Sequence, residues 1–400
     1  MHLSTRPKPY SILTFLALLV LLLTVPALAQ PTAHANVRQS LVTSSSDWSI
    51  YGYNAQHTNF NPNETLINPT NVSKLVPKWT VSTEAYGRST PIVSNGIVYT
   101  AYAPYLTAYS VNTGTQLWSV RVGFIGFSST PLVANGAVYI DSLGALTAYN
   151  AKTGAMLWMT KMTRVANSQS ASVFANGFVY EAWTSGFLYA YNATSGKIVW
   201  SANMGTVPYT SPTVYNNLVY IDSAYSVLAF NTFTGKRVWS FTTEGYLTST
   251  ATIANGVLYI GEADFIIYAL NAVTGKKLWI TSSHTHHQTI AIAAANGILY
   301  SYEGDLSAFN LKTGKHLWTA PIGIGVTPSP GIAVANGVIY AGSYDDNRHA
   351  KLYAFNASTG SRLWSYEVGQ NEVYVPIVSN GTVYITSDKG TLTAFHLPGH

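Results

Sequence analysis

Through most of the chain, apolar residues come in short runs broken by a turn signal every eight to twelve residues. That is the spacing of strands joined by hairpins rather than of helices. One unit reads STPIVSN, GIVYTAY, LTAYSV and TQLWSV, four candidate strands designated A to D. Along LYAYNATSGKIVW the alternation puts Leu188 and Ala190 on one face and Tyr189 and Tyr191 on the other. Both faces are apolar, so such a strand is expected to be covered on both sides. The A–B connection is Asn-Gly in seven units (Gly96, Gly136, Gly177, Gly256, Gly297, Gly337, Gly381) and Asn216-Asn217 in the other. Asn-Gly suits the positive φ angles of a two-residue hairpin. The C–D connection repeats Thr-Gly or Ser-Gly (Gly114, Gly154, Gly196, Gly235, Gly275, Gly314, Gly360), which suits a slightly longer hairpin with a left-handed glycine.

The pattern repeats. Aligned on its closing tryptophan, the phrase recurs at Trp79, Trp118, Trp158, Trp200, Trp239, Trp279, Trp318 and Trp364, with spacings of 39, 40, 42, 39, 40, 39 and 46 residues. Eight meanders of about forty residues, apolar on both faces, must pack face to face around an axis. The predicted fold is therefore all-β, an eight-bladed propeller. Run C always carries a small residue (Ala108, Ala148, Ala190, Ala229, Ala269, Ala308, Ala354, Ala394), which leaves room for a large ring nearby. The last unit ends without a D strand, whereas LVPKWTV, residues 75–81, is a D strand without its own A to C. The N-terminal strand is thus expected to complete the last blade, closing the ring and hiding both edges. The predicted organisation is a leader over residues 1–35, an N-terminal extension over 36–74, and the propeller over 75–400.

The leader has a basic start at Arg6 and Lys8, an apolar run from Ile12 to Val25, and small residues at Ala27 and Ala29 or Ala33 and Ala35. This reads as a secretion signal, with an uncleaved membrane anchor over residues 11–29 as the alternative. The expected location is extracytoplasmic, secreted or in the cell envelope. Charged residues make up only 9% of the 400, and there is no cysteine. Disulfides, thiolate metal sites and cysteine nucleophiles are therefore excluded. A formal charge of +5, with no basic stripe interleaved with aromatics, gives no support for nucleic-acid binding.

In such a meander the A–B and C–D turns fall at one end, and the B–C and D–A loops at the other. The C–D hairpins hold Lys152, Lys197, Lys236, Arg237, Lys276, Lys277, Lys312, Lys315 and Arg362. The B–C loops hold Asp141, Glu181, Asp222, Glu262, Asp264, Glu303, Asp305, Asp345, Asp346 and Asp388. The loop end reads as acidic, the turn end as basic, and the variable loops as the place for binding residues. Candidate ligand-binding residues are Trp183, as an aromatic platform, with Asp141, Glu181, Asp222, Asp345 and Asp346. In HTHH, His284 and His286 point the same way along an extended segment, near Glu303 and Asp305 in the neighbouring B–C loop, a candidate metal site. The longest insertion, SYDDNRHAK, is expected to be an exposed loop. No Ser-His-Asp order, Walker loop or HExxH spacing is present.

The phrase LYAYNATSGKIVW and its repeats resemble the tryptophan-docking repeat of the pyrroloquinoline quinone (PQQ) dehydrogenases and their non-catalytic relatives. Residues 47–79, DWSIYGYNAQHTNFNPNETLINPTNVSKLVPKW, are similar to the segment leading into the first blade of quinoprotein alcohol dehydrogenases. The resemblance implies that each strand-D tryptophan stacks between the alanine and glycine of neighbouring blades. The eight tryptophans are then architecture, with no catalytic role. Active members of the family typically carry a vicinal disulfide, a tryptophan floor, calcium ligands and a catalytic aspartate, and are much longer. This chain has no cysteine, and those ligands map onto no position in it. The shorter, non-catalytic branch includes a scaffold lipoprotein of the outer-membrane β-barrel assembly machinery, which binds partner proteins. The expectation is a monomeric, non-catalytic binding or scaffolding module without a cofactor, serving a protein or cell-envelope partner. A PQQ- and calcium-dependent oxidoreductase is the alternative, and a carbohydrate or cell-wall binder a third reading.

Overall fold

The computed structural model describes residues 46–82, 89–123, 130–142, 144–162, 170–208, 210–282, 291–322, 326–345, 347, 349–370, 373–387 and 390–399. The expected leader lies outside them. The described strands form eight sheets, seven of four strands and one of five, each with a four-stranded antiparallel meander, arranged as the blades of a propeller. Blade 1 is built of Ile92–Ser94, Ile97–Tyr102, Tyr105–Ser110 and Gln116–Arg121, and the later blades repeat this order. In blade 8 the strands Ile377–Ser379, Thr382–Thr386 and Thr391–His396 are completed by Val76–Ser82, whose Trp79 pairs with Ala394. The ring therefore closes through the N-terminal strand.

The two turn types lie at one end and are tied together. Asn95 and Gly96 have φ of 52° and 77°, the left-handed pair that only a two-residue hairpin of this kind requires. In blade 1 the Gly96 carbonyl accepts the amide of Val111 at the start of the C–D turn, and Gly136 does the same for Ala151 in blade 2. A feature that the strand pattern does not reveal holds the C–D turn itself. Asn150, Asn192, Asn231, Asn271, Asn310 and Asn356 each accept two backbone amides of their turn through Oδ1.

Adjacent blades meet at one repeated joint. Tyr99 of strand B and Trp118 of strand D both stand opposite Ala108 of strand C, so their rings meet over it, 5.9 Å apart. The Tyr99 hydroxyl and the Trp118 indole N–H both donate to the carbonyl of Ala151 in the next blade, each at 3.1 Å. Tyr139 with Trp158, Tyr180 with Trp200, and Tyr220 with Trp239 do the same to Ala193, Thr232 and Ala272. Burial, with the Asp47 charge adding, pushes the Tyr99 phenol up to about 12, so it remains a donor at neutral pH. Seven of the eight rings lie on the next blade's C–D glycine: a Cβ at Gly235 would come within 2.6 Å of Trp200. The alanine of this sandwich belongs to the tryptophan's own blade and only the glycine to its neighbour, which refines the expected geometry.

The eight tryptophans are not equivalent. Trp364 faces blade 8, whose C–D hairpin is replaced by the incoming N-terminal strand, and nothing lies within 4 Å of a Cβ at Gly399. Trp364 packs instead against Tyr366 and Phe395, at 6.0 and 5.7 Å. In the same blade the Tyr340 hydroxyl is buried without a hydrogen-bond partner among the described residues. The insertion in blade 7 is also not a free loop. It lengthens the B–C hairpin, with Ser343 paired to Lys351 and Tyr344 to Ala350, while Asp346 and Arg348 lie outside the described residues.

Replacing Trp239 by Ala removes a ring sandwiched between Ala269's equivalent, Ala229, and Gly275, and leaves a cavity. The expected cost is about 3–5 kcal/mol in chemical denaturation. Trp364→Ala, at the joint without a glycine, should cost measurably less; equal losses would make the seam an ordinary joint.

Candidate functional site

Strand A is the inner edge of every blade, so its outward amides need partners. The N-terminal segment supplies them. The amides of Val93, Val133, Val214, Ile253, Ala294 and Val334 donate at 2.7–2.9 Å to the carbonyls of Trp48, Ser49, Ala55, Gln56, Thr58 and Asn59. Phe60–Asn61 then pairs in parallel with strand A of blade 7, and Asn61 Nδ2 reaches the Val378 carbonyl of blade 8. Residues 46–61 thus run around the axis and engage seven blades. Asp47 accepts the Asn95 amide, Ser46 that of Asn380, and Glu64 that of Gly381, so this plug lies at the turn end of the channel.

The plug is wound tightly. Gly52 has φ of 73°, and a Cβ there would lie 2.8 Å from the His57 Cα. Asn54 Oδ1 accepts the amides of Gln56 and Thr58. His57 is buried at the centre, edge-on to Tyr51 at 5.6 Å. The Thr213 hydroxyl donates to Ala251, which leaves it an acceptor for Nδ1–H of His57 at 3.3 Å. Nε2 is then a buried lone pair with no partner among the described residues. Burial drives this imidazole down to about 3, so it is neutral at physiological pH.

At the other end, five of the predicted acidic residues do not form a solvent rim. Asp141, Glu181, Asp222, Glu262 and Glu303 are all buried. They stand near the end of strand B, where hydroxyls at the start of strand A reach them. Ser170 and Ser172 donate to Glu181, and Thr210 to Asp222. Glu262 accepts the Gly245 amide at 2.9 Å, and its charge adds to burial in pushing Tyr268 up to about 12. The hydroxyls also link blades, since Ser211 Oγ accepts the Ala171 amide. Among the described residues the loop-end acids are therefore mostly internal, with Asp264 exposed, whereas all nine C–D hairpin bases are exposed.

Trp183 is fully buried. Its indole donates to the Tyr191 hydroxyl, which contacts the Met162 sulfur, so the ring packs under the loop end and shows no face to solvent. Glu303 and Asp305 are neighbours, the Glu303 amide bonding the Asp305 carbonyl at 3.2 Å. His284 and His286 lie outside the described residues, as does Asp346, while Asp345 ends strand B of blade 7. Among the described residues no three His, Cys, Asp or Glu side chains group around a metal position. Two elements were not found from sequence. The strand-B tyrosines were legible as a tyrosine recurring three residues after each A–B glycine; the plug carries no periodic signal at all.

The family described as outer membrane protein assembly factor BamB matches residues 77–175, 142–298 and 302–397. No curated protein matches the chain in sequence. Among solved structures, BamB from Moraxella catarrhalis is 18% identical with a TM-score of 0.64, covering 80% of this chain and 99% of its own. The quinohemoprotein alcohol dehydrogenase ADHIIG of Pseudomonas putida HK5 is 16% identical with a TM-score of 0.71, covering 89% and 81%. The computationally designed Ika8 protein is 16% identical with a TM-score of 0.67, covering 79% and 97%. At such identities these likenesses establish the fold alone.

The buried histidine gives the plug a pH signature. The unfolded imidazole takes up a proton near pH 6.5, whereas the folded one resists until about pH 3. Its contribution is complete above pH 6.5 and is lost progressively as pH falls towards 3, reaching about 2 kcal/mol at pH 5. The melting temperature of wild type should therefore fall more steeply between pH 7 and 5 than that of His57→Gln. Parallel curves would mean that the ring is hydrated or protonated in the fold.

Proposed function

Since the chain belongs to the family of outer membrane protein assembly factor BamB, we propose that it is a non-catalytic binding or scaffolding module acting outside the cytoplasm on protein partners of the cell envelope. The observation that carries this reading is the plug. The inner strands, where a ring of blades would offer backbone groups to a small ligand, spend them on residues 46–61 of the same chain. Function is then left to the outer surface. A closed, stiff ring of repeated blades suits presentation of that surface. The apolar run of residues 12–25 supports an extracytoplasmic location, by secretion or by retention at the membrane.

The alternative, a PQQ- and calcium-dependent oxidoreductase, is less well supported by the residues present. PQQ is a planar tricarboxylate, and the described loop-end interior offers it further carboxylates, Asp141, Glu181 and Asp222, already engaged or enclosed in the fold. Trp183, the aromatic ring best placed to floor a planar ligand, is enclosed by Tyr191 and Met162. These groups do not fit the cofactor, and no catalytic step is derived through it.

Incubation of the purified protein with PQQ and calcium, followed by a dye-linked assay on alcohols and aldose sugars, should give no reduction above the protein-free control. Cofactor-dependent turnover that saturates with PQQ would replace the binding module with the oxidoreductase.

A further inference from the structure

The repeat provides its own internal comparison. Every C–D strand pair carries a bulge just before the tryptophan, which turns two successive residues of the outermost strand outward. The first of the two is polar, charged or proline in six blades: Pro77, Gln116, Arg237, Lys277, His316 and Arg362. Such residues, with the bulge itself, protect an edge strand from pairing with another chain. Blades 2 and 3 keep the bulge but carry no polar, charged or proline residue there. Their outward residues are Met156 with Leu157 and Ile198 with Val199, and Met159 joins them; all five are between 44% and 59% exposed. The two edges adjoin, because Thr160 Oγ1 donates to the Gly196 carbonyl across the blade boundary at 2.6 Å. On its other side, the outer strand of blade 3 borders a shallow groove of about 470 Å³ lined by Asn203, Met204, Gly235 and Arg237.

Charge on this face has one sign. Between Glu84 and Glu244 the only acids are Asp141, Glu181 and Asp222, and all three are buried. Arg121, Lys152, Lys161, Lys197, Lys236 and Arg237 are exposed. A strand edge without a polar gatekeeper, flanked by thioethers and aliphatic groups on one side and by a guanidinium groove on the other, matches a strand whose side chains alternate apolar and acidic. Methionine suits such a face because its thioether adapts to varied partners.

We propose that the outer edge of blade 3, strand Ile198–Asn203, is a docking site for an extended, acidic and apolar segment of a partner protein, which adds as a fifth strand. Backbone hydrogen bonds along the edge hold it, apolar side chains face Met156, Leu157 and Met159, and carboxylates face Arg237. The proposal rests on the binding-module reading and gives that module a partner class.

The test uses the full chain and a fluorescent decapeptide alternating valine and glutamate, with a backbone N-methylated copy as control. Wild type should bind the peptide and lose affinity as salt rises. The double substitution Ile198→Lys and Val199→Lys, on exposed positions, should weaken binding tenfold or more. Arg237→Glu should also weaken it, and Leu278→Lys, at the corresponding bulge of blade 5, should not. The N-methylated peptide should fail to bind. Undiminished binding by the double variant or to the N-methylated peptide overturns the strand-addition site, as does absence of peptide binding. Binding to phosphatidylglycerol vesicles in place of the peptide would identify the face as a lipid surface and overturn it equally. If wild type and the double variant crosslink to the same envelope proteins, the module stands and this edge falls.

Discussion

A backbone carbonyl that accepts a phenol and an indole from the preceding blade, seen complete at four blade boundaries, is the joint on which the ring depends. Ala151, Ala193, Thr232 and Ala272 each receive both donors. The geometry requires three residues at once: an alanine small enough for the two rings to meet above it, a glycine that lets the indole lie on the next turn, and a turn that aims its carbonyl back. Each hydrogen bond contributes only about 1 kcal/mol net, but leaving such buried donors unpaired costs more, so the joint discriminates strongly against misaligned blades. Burial of the rings supplies most of the stabilisation, and the hydrogen bonds fix the angle. No disulfide is available to share this task, since the chain has no cysteine.

A ring built this way still has two weaknesses, an inner circle of strand edges and a seam. The N-terminal segment resolves both. Residues 46–61 pair with the inner edges, and Val76–Ser82 fills the last blade. Trp79 then makes the joint from blade 8 to blade 1, donating to the Val111 carbonyl at 3.0 Å. The joint is least complete at the blade 7 to blade 8 contact, because strand D of blade 8 arrives from elsewhere in the chain and brings no C–D hairpin; at the blade 6 to blade 7 contact Ala357 accepts the Tyr300 phenol, while the Trp318 indole N–H has no partner among the described residues. With the interior occupied by structure, differences among blades are informative chiefly on the outside. The apolar edges of blades 2 and 3 stand out there because six sister positions show what an ordinary edge carries.

Eight blades, both turn types, the ends on which they fall and closure by the N-terminal strand were legible in the sequence, because each rests on local chemistry repeated many times. Asn-Gly and Thr-Gly specify turns, and the Trp-to-Trp spacing specifies the blade. The plug was not legible. Its hydrogen bonds join residues such as Gln56 and Val214 or Asn59 and Ile292, far apart in sequence, and its Asn- and aromatic-rich composition has no period. Counting carboxylates at the loop end could not reveal that Glu181 and Asp222 are buried against hydroxyls, because Ser170, Ser172 and Thr210 look like ordinary polar residues of a strand start. The insertion of blade 7 looked like a loop because its charges masked the strand pairing. Trp364 differs from its sister tryptophans for a topological reason that no single repeat contains.

The central claim is that residues 46–61 and the inner strands form one cooperative structure. Native-state hydrogen exchange tests this most directly, resolved at the amides of Val93, Val133, Val214, Ile253, Ala294 and Val334. The account predicts that these six exchange only through global opening, with the same free energy as strand-C amides such as Leu188 and Leu228. Exchange at the rate of open loop amides, while strand C stays protected, would show that the segment does not close the channel and would contradict the account.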